Sequence, residues 1–454
     1  MKKRIILITG VIAVVLASTI VSGDSQSPVE ITIYNQNFGV VKEVRTIDLT
    51  EGLNTVMIQD VAKLIDPTSV SIRDLTGISY VLEQDYLYDL VSKEKIYEKY
   101  LGKNITVIDK EGNTLRGSLL SYSGDELIIQ NDTGVHIVKG EQVSLPELPE
   151  GLITKPTLKW LLDAEKAGAH DMQLSYMTSG LNWEAYYVAV VNNDDTELDL
   201  MSWVTLTNNS GASYKNARLK LIAGEVHRVQ PQLVPTYAEE ERGAAKAADQ
   251  FQEEPFFEYH MYTLDRKTDI LDNQQKQVTL FEAQNISVKK EYVFDPGYSY
   301  GYQQNTGTVK VMLVLENTQE NNMGMPLPAG IIRVYKKDSE GQLQFIGEDS
   351  IDHTPKDEKV RIYVGDAFDV VAEKKQTQYN QLGTRGAEIS YEVSLRNHKT
   401  DDITVTVLDH FWGEWRITES SHDWNQEDAY TAVWYIDVAA DGEVTLTYTV
   451  RMYW

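Results

Sequence analysis

Apolar and polar positions alternate along most of this chain, and a period of two marks β-strands that bury one face. Val309, Val311, Leu313 and Leu315 form one such series, and Ile389, Tyr391, Val393 and Leu395 form another. Leu198, Leu200, Val204 and Leu206 keep to one side of an earlier strand. Val444, Leu446, Tyr448 and Val450 do the same in the last one. Gly, Asn and Asp cluster between these runs, where turns need them. Many short strands and few helical stretches predict a mainly β protein built from sandwiches or barrels.

Changes in this pattern divide the chain. Residues 28–88 read as an N-terminal β unit, with turns at Glu51-Gly52 and Asp66-Pro67. Residues 89–148 differ. A short amphipathic helix is predicted over Ser92–Leu101, with Ile96, Tyr97, Tyr100 and Leu101 on its apolar side. Strands then follow around Ile105/Val107, Leu115/Leu119, Leu127/Ile129 and Val135/Ile137, separated by tight turns. A helix followed by such a meander predicts a small SH3-like or Sm-like barrel. The stretch PELPEG (146–151) reads as a linker. Leu158, Leu161, Leu162 and Ala164 then suggest a second short helix, with Thr157 as its cap. Residues 149–306 form the first part of a larger β domain. Within it, residues 232–258 are acidic and Ala/Gln-rich, and are expected to make a mobile, solvated excursion. The patch Phe256-Phe257-Glu258-Tyr259 would dock its end. Residues 307–454 read as a C-terminal β-sandwich.

Lys2, Lys3 and Arg4 precede an uncharged apolar run from Ile5 to Val21, and small residues follow at Ser22 and Gly23. Residues 1–23 therefore read as a secretory signal. The other reading is a retained anchor, because the run approaches the ~20 residues that span a bilayer. Either way the bulk of the chain is expected outside the cytoplasm, with the membrane touched only through this segment if it is not cleaved. The formal charge of −26 repels nucleic acid and anionic lipid. No nucleic-acid partner is therefore expected. With no cysteine, the chain has no disulfide, no lipid carried on a cysteine and no thiolate chemistry. Asn104, Asn131, Asn208 and Asn285 stand in glycosylation tripeptides, which matter only in a host that glycosylates exported proteins.

Candidate chemistry is sparse. Gly297-Tyr298-Ser299-Tyr300-Gly301 matches the G-x-S-x-G nucleophile elbow. That elbow needs a helix after the serine, whereas a strand is predicted there, so a Gly/Tyr-rich loop is the better reading and hydrolase chemistry a remote alternative. No pair among the eight histidines has a compact metal spacing. Asp194, Asp195, Glu197 and Asp199 cluster without the EF-hand spacing and read as a solvated hairpin. HTPKDE (353–358) offers cation ligands but has the composition of a solvated turn. No catalytic residue, metal or cofactor is assigned. The notable cluster is aromatic. Phe411, Trp412, Trp415, Trp424, Trp434 and Tyr435 lie close together near the C-terminus. Trp434 sits in an alternating strand and is expected in the core. Trp412, Trp415 and Trp424 flank turns and are the candidate ligand-binding residues, because exposed flat rings stack on sugars or anchor protein interfaces.

Several segments in order resemble one family. They are IYNQNFGVVKEVRTIDLTEGLN (33–54), DPTSV (66–70), SYMTSGLNWEAYY (175–187), NNSG (208–211), LIAGEV (221–226), DNQQKQVTLF (272–281), PLPAGIIRVYKKD (326–338), GEDSIDHTPKDE (347–358) and GDAFDV (365–370). The chain is similar in these to domain-of-unknown-function family 4139, a related branch of which contains proteins named mucoidy inhibitors. The resemblance implies an exported, β-rich protein and carries over no activity and no catalytic residues. That branch has a long coiled coil, and this chain lacks sustained heptads. Within the motifs, Trp183 is expected to anchor a core. The expectation is thus an envelope or cell-surface protein with a structural or protein-interaction role, contacting surface proteins. The alternative is a carbohydrate-binding module for a surface polysaccharide.

Overall fold

The structure is a computed structural model that describes residues 18–21, 29–108, 111–139, 142–147, 149, 152–227, 251–297 and 305–454. It is mainly β and divides into two compact units, each assembled from separated stretches of chain. The first comprises Met1–Asn182, Thr207–Lys220 and Lys267–Gln275. The second comprises Trp183–Leu206, Leu221–Arg266 and Lys276–Trp454.

The first unit opens with β1 (Ser18–Val21), β2 (Val29–Tyr34), β3 (Phe38–Leu49), β4 (Gly52–Gln59), β5 (Ser71–Asp74) and β6 (Ser79–Leu87). Helix α1 (Lys93–Tyr100) precedes β7 (Asn104–Ile108), β8 (Thr114–Ser123), β9 (Glu126–Asn131), β10 (Gly134–Lys139) and β11 (Gln142–Ser144). Then come β12 (Thr157–Ala164) and β13 (Gly168–Ser179). Beyond β14 (Leu181–Val191) and β15 (Glu197–Asn208), the start of β16 (Tyr214–Ala223) belongs here too. One sheet has the order β1-β4-β12-β6, and β1 runs parallel to β4. In another, β16, β2, β3, β13 and β5 are successive neighbours, and β3 pairs with β13 over its whole length, from Phe38–Ser179 to Leu49–Gly168. Most of the apolar N-terminal run lies outside the described residues.

Two expectations for this unit change. Thr157–Ala164 is a strand, not a helix. Leu158, Trp160, Leu162 and Ala164 are all buried at alternate positions, and β12 pairs on both edges, with β4 and β6. In so short a window the i, i+3, i+4 and i, i+2 patterns coexist, and pairing on two sides decides between them. The second change concerns the small barrel. Its helix forms almost as expected, with the Ser92 hydroxyl accepting from the Lys95 N–H at 3.2 Å as the N-cap. Tyr97 and Tyr100 pack on Ile105, Val107, Leu119, Leu127 and Ile129, while Leu101 turns outward. The strands, however, form an open sheet, β10-β9-β8-β7-β11. The three residues of β11 pair with β7 alone, so nothing closes onto β10, which leaves Val135 and Ile137 exposed.

The second unit contains β14, β15 and the hairpin of β17 (Phe251–Phe256) and β18 (Tyr259–Leu264). Residues 232–250 of the expected excursion lie outside the described residues, but its end is this hairpin. Phe257 sits at the turn with φ +59° and is 84 % exposed. The Phe256-Phe257 patch thus points into solvent instead of docking. Phe251, Met261, Tyr262 and Leu264 are the buried side.

After β19 (Thr268–Ile270), which pairs with β16 in the first unit, the strands are long. They are β20 (Gln274–Phe294), β21 (Asn305–Glu316), β22 (Gly330–Lys337), β23 (Leu343–Ile351), β24 (Lys359–Gln381) and β25 (Gly386–Asn397). The chain closes with β26 (Ile403–His410), β27 (Glu414–Ser420), β28 (Trp424–Gln426), β29 (Thr431–Val438) and β30 (Glu443–Tyr453). The sheet runs β23-β22-β14-β15-β20-β21-β24-β25-β30-β27. At Tyr292–Phe294 of β20 it also branches, because β26 adds there in parallel and carries β29 and β28 with it. The branch and the main sheet enclose one core, in which Val405, Val407, Trp434 and Ile436 meet Tyr391, Val393, Leu395, Leu446, Tyr448 and Val450. The series Ile389–Leu395 and Leu446–Val450 line this core together with Val309, with Val311 and Val444 at its rim, and Leu198, Leu200, Val204, Leu206, Leu313 and Leu315 are buried as well. Trp183 is buried as expected, and its Nε1 donates to the Ile222 carbonyl at 3.1 Å.

Candidate functional site

The C-terminal sandwich separates the three candidate tryptophans. Trp415 on β27 lies 5.0 Å from Phe411 and 6.0 Å from Trp424 of β28, measured between ring centres. Its Nε1 donates to the Ala429 carbonyl at 2.8 Å. Trp415 and Trp424 are partly buried against the sandwich core. Trp412 stands apart, 37 % exposed, in the turn between β26 and β27. Its ring lies 5.1 Å from that of Trp454, which is 45 % exposed, with 39° between the planes. Tyr453, beside Trp454, is also exposed.

Gly413 makes this arrangement possible. Its φ is +74°, and a Cβ there would lie 2.2 Å from the Tyr453 carbonyl oxygen. Only a residue without a side chain lets the turn approach the end of β30 so closely. The Trp454 N–H donates to the Arg385 carbonyl at 3.0 Å, which ties the last residue to the start of β25. The outcome is a small aromatic platform of Trp412 and Trp454, while the exposed Tyr453 ring lies against Gly386. Sequence reasoning missed Trp454. The available signal was the pair of aromatics directly after the last buried position, Met452.

Inside the sandwich lies a constellation that was also missed. Lys374 on β24 and Asp409 on β26 are 3 % and 1 % exposed, with Nζ and Oδ1 2.6 Å apart. The Tyr448 hydroxyl on β30 donates to Asp409 Oδ2, and the His410 backbone N–H donates to Oδ1 at 3.1 Å. Lys374 Nζ sits 4.3 Å from the centre of the Tyr391 ring, and Trp434 lies 4.6 Å from Tyr448. Burial and the Asp409 carboxylate push the Tyr448 phenol well above its ordinary pKa, so it stays protonated and donates. Strand parity was the signal. Val370, Ala372 and Lys374 share the inward phase of β24, and Ile403, Val405, Val407 and Asp409 share that of β26. A charge in the buried phase is the anomaly to look for.

The remaining candidates resolve individually. Asp195 accepts from Lys290 at 2.8 Å and Lys336 at 2.5 Å, and Asp199 accepts from the Asn285 N–H at 3.0 Å. These acids are thus taken up by hairpin and strand contacts. His353 accepts from the Ala329 N–H at 3.1 Å, and burial, then the nearby His260, holds its pKa low. Among the described residues, no three His, Asp or Glu side chains gather as a metal site. Ser299 lies outside the described residues. Asn208 is fully buried, and its Nδ2 donates to the Ala212 and Ile270 carbonyls at 2.9 and 3.3 Å. The folded chain therefore does not present this tripeptide for glycosylation.

A family model described as domain of unknown function (DUF4139) matches residues 172–454. It begins after the first two resembling segments, 33–54 and 66–70, and spans the other seven. No curated protein matches the chain.

Proposed function

We propose that this chain, which belongs to the DUF4139 family of domains of unknown function, acts outside the cytoplasm as an envelope or cell-surface protein that works by contact. The observation that carries the reading is the exposed platform of Trp412 and Trp454. Large flat side chains held in place by a glycine turn are the residue types that dominate protein contact sites. The basic start and apolar run of residues 1–21 support export. Among the described residues, no helix is long and apolar enough to cross a membrane.

The test is site-specific photo-crosslinking on intact cells, with the probe at position 412 or 454 and at exposed Tyr88 of the first unit as control. One defined protein adduct, formed from the platform positions and lost in Trp454→Ala, is the expected result. Adducts formed equally from position 88, or none from the platform, would overturn the reading. Shielding of the whole chain from protease added after the cell wall and any outer membrane have been opened would overturn the location.

The exposed indole pair favours a second reading, because adjacent rings also stack on the apolar faces of sugars. Retardation by the host's surface polysaccharide, abolished by Trp412→Ala, would replace the protein partner with a glycan.

A further inference from the structure

From the buried triad Lys374, Asp409 and Tyr448, we propose that the C-terminal sandwich closes itself with an amide bond between Lys374 Nζ and Asp409 Cγ. The two residues come from opposite layers. Lys374 pairs with Val393 of β25 in the main sheet, and Asp409 pairs with Ala432 of β29 in the branch. The bond is a covalent staple across the core, in a chain that has no cysteine to make a disulfide.

The surroundings favour the chemistry. An ammonium and a carboxylate inside an apolar core each lose hydration, and their attraction restores it only in part. Transfer of one proton from Nζ to the carboxylate removes both charges and leaves a nucleophilic amine beside a carboxylic acid. Nζ already lies 2.6 Å from Oδ1. Its lone pair attacks Cγ, and the C–N bond forms as negative charge moves onto Oδ1. The His410 N–H, donating to Oδ1 at 3.1 Å, stabilises that charge as an oxyanion donor does. Tyr448 donates to the other oxygen, Oδ2. The Cγ–Oδ2 bond breaks, and Oδ2 departs as water with the proton first transferred from Nζ and a second from the phenol. The phenol then recovers a proton from the nitrogen. In balance, one ammonium and one carboxylate give one amide and one water, with no oxidant, reductant or co-reactant. Oδ1 remains as the amide oxygen, still accepting from His410. The Tyr391 ring and the Trp434–Tyr448 pair restrict bulk water, so hydrolysis does not compete.

Intact-mass spectrometry of the denatured full-length chain, with its N-terminus read in the same experiment, decides the matter. The expected mass is lower than the sequence mass by one water, and digestion yields a branched peptide joining Lys374 to Asp409. Lys374→Arg and Asp409→Ala should restore the full mass. Tyr448→Phe should leave a measurable uncross-linked fraction that converts slowly on standing. A wild-type chain at its full sequence mass, or a water lost at any other site, would overturn the proposal, and neither result depends on the variants folding. Complete cross-linking in Tyr448→Phe would remove the tyrosine from the reaction.

Discussion

His170 Nδ1 lies 2.7 Å from Asp74 Oδ2, and both side chains are almost wholly buried. Asp74 also accepts from the backbone N–H groups of Thr76 and Gly77, at 3.1 and 2.9 Å, and from the Ser79 hydroxyl at 3.0 Å. Burial acts to raise its pKa. The bonds from His170, Gly77, Thr76 and Ser79 together outweigh it and hold the carboxyl below its ordinary value. The unfolded chain therefore takes up the proton first. The stabilisation is complete above the unfolded pKa of about 3.9 and is lost as pH falls through the folded one. At neutral pH, Asp74→Asn should cost about 2 kcal/mol. In urea unfolding at a series of pH values, the gap from wild type should narrow below about pH 4. A gap that stays constant to the most acid point would refute the account.

Buried phenols give the opposite dependence. Burial is the first cause that pushes Tyr214 up to about 12, and it drives Tyr176, Tyr262 and Tyr448 well above the ordinary value. A raised folded pKa means stability that is intact below the unfolded pKa of about 10 and is lost as pH rises toward the folded one. Tyrosinate absorbance should therefore appear in two parts. Exposed rings titrate first, and buried rings ionise together with loss of the circular dichroism of the β-sheets. A single smooth titration of all 26 tyrosines in a chain that stays folded would contradict this.

The two kinds of C-terminal tryptophan should separate under mutation. Trp415→Ala and Trp424→Ala remove rings packed on the sandwich core and should each cost about 2–4 kcal/mol in chemical denaturation. Trp412→Ala and Trp454→Ala should cost less than about 1 kcal/mol, because both rings face solvent. If Trp412→Ala proved as damaging as Trp424→Ala, Trp412 would be a structural ring and not a contact ring.

Gly413→Ala tests how the platform is held. The new Cβ would meet the Tyr453 carbonyl oxygen at 2.2 Å, at a backbone φ of +74°. The left-handed conformation alone costs about 1–2 kcal/mol, and relief of the clash must move the end of β30. Quenching of Trp412 and Trp454 fluorescence by iodide should therefore increase. Unchanged quenching and stability would mean that the turn tolerates a side chain.

Local pattern carried much of this architecture. Val309–Leu315, Ile389–Leu395 and the last strand were legible because each buries one face, which leaves a period-two trace in the residues themselves. Helix α1 was legible through the spacing of Ile96, Tyr97 and Tyr100, and its Ser92 cap appears only in the folded chain. Leu158–Ala164 was misread because its apolar residues satisfy two periods, and only its partners β4 and β6 decide between them. Pairing between distant strands leaves no local trace. Nothing near Ala185 announces its parallel partner Gly330, and nothing in β7–β11 announces an open sheet. The aromatic cluster was visible as composition. Its division into packed Trp415 and Trp424 and exposed Trp412 depends on Gly413 and Trp454, which only the folded chain brings together.

The interleaving of the two units has a consequence for how the chain is made. Strand β16 gains its partner β19 only when Thr268–Ile270 exists. Strand β14 gains β22 only when Gly330–Lys336 exists. Neither unit can be finished in the order of synthesis, and parallel pairing across so long a separation is slow because loop closure precedes the contacts that reward it. A ribosome-bound chain halted at residue 265 would have to wait with β16 half-paired. Strands of the first unit would stay sensitive to protease until Gln275 had emerged, and those of the second until its C-terminal strands had followed.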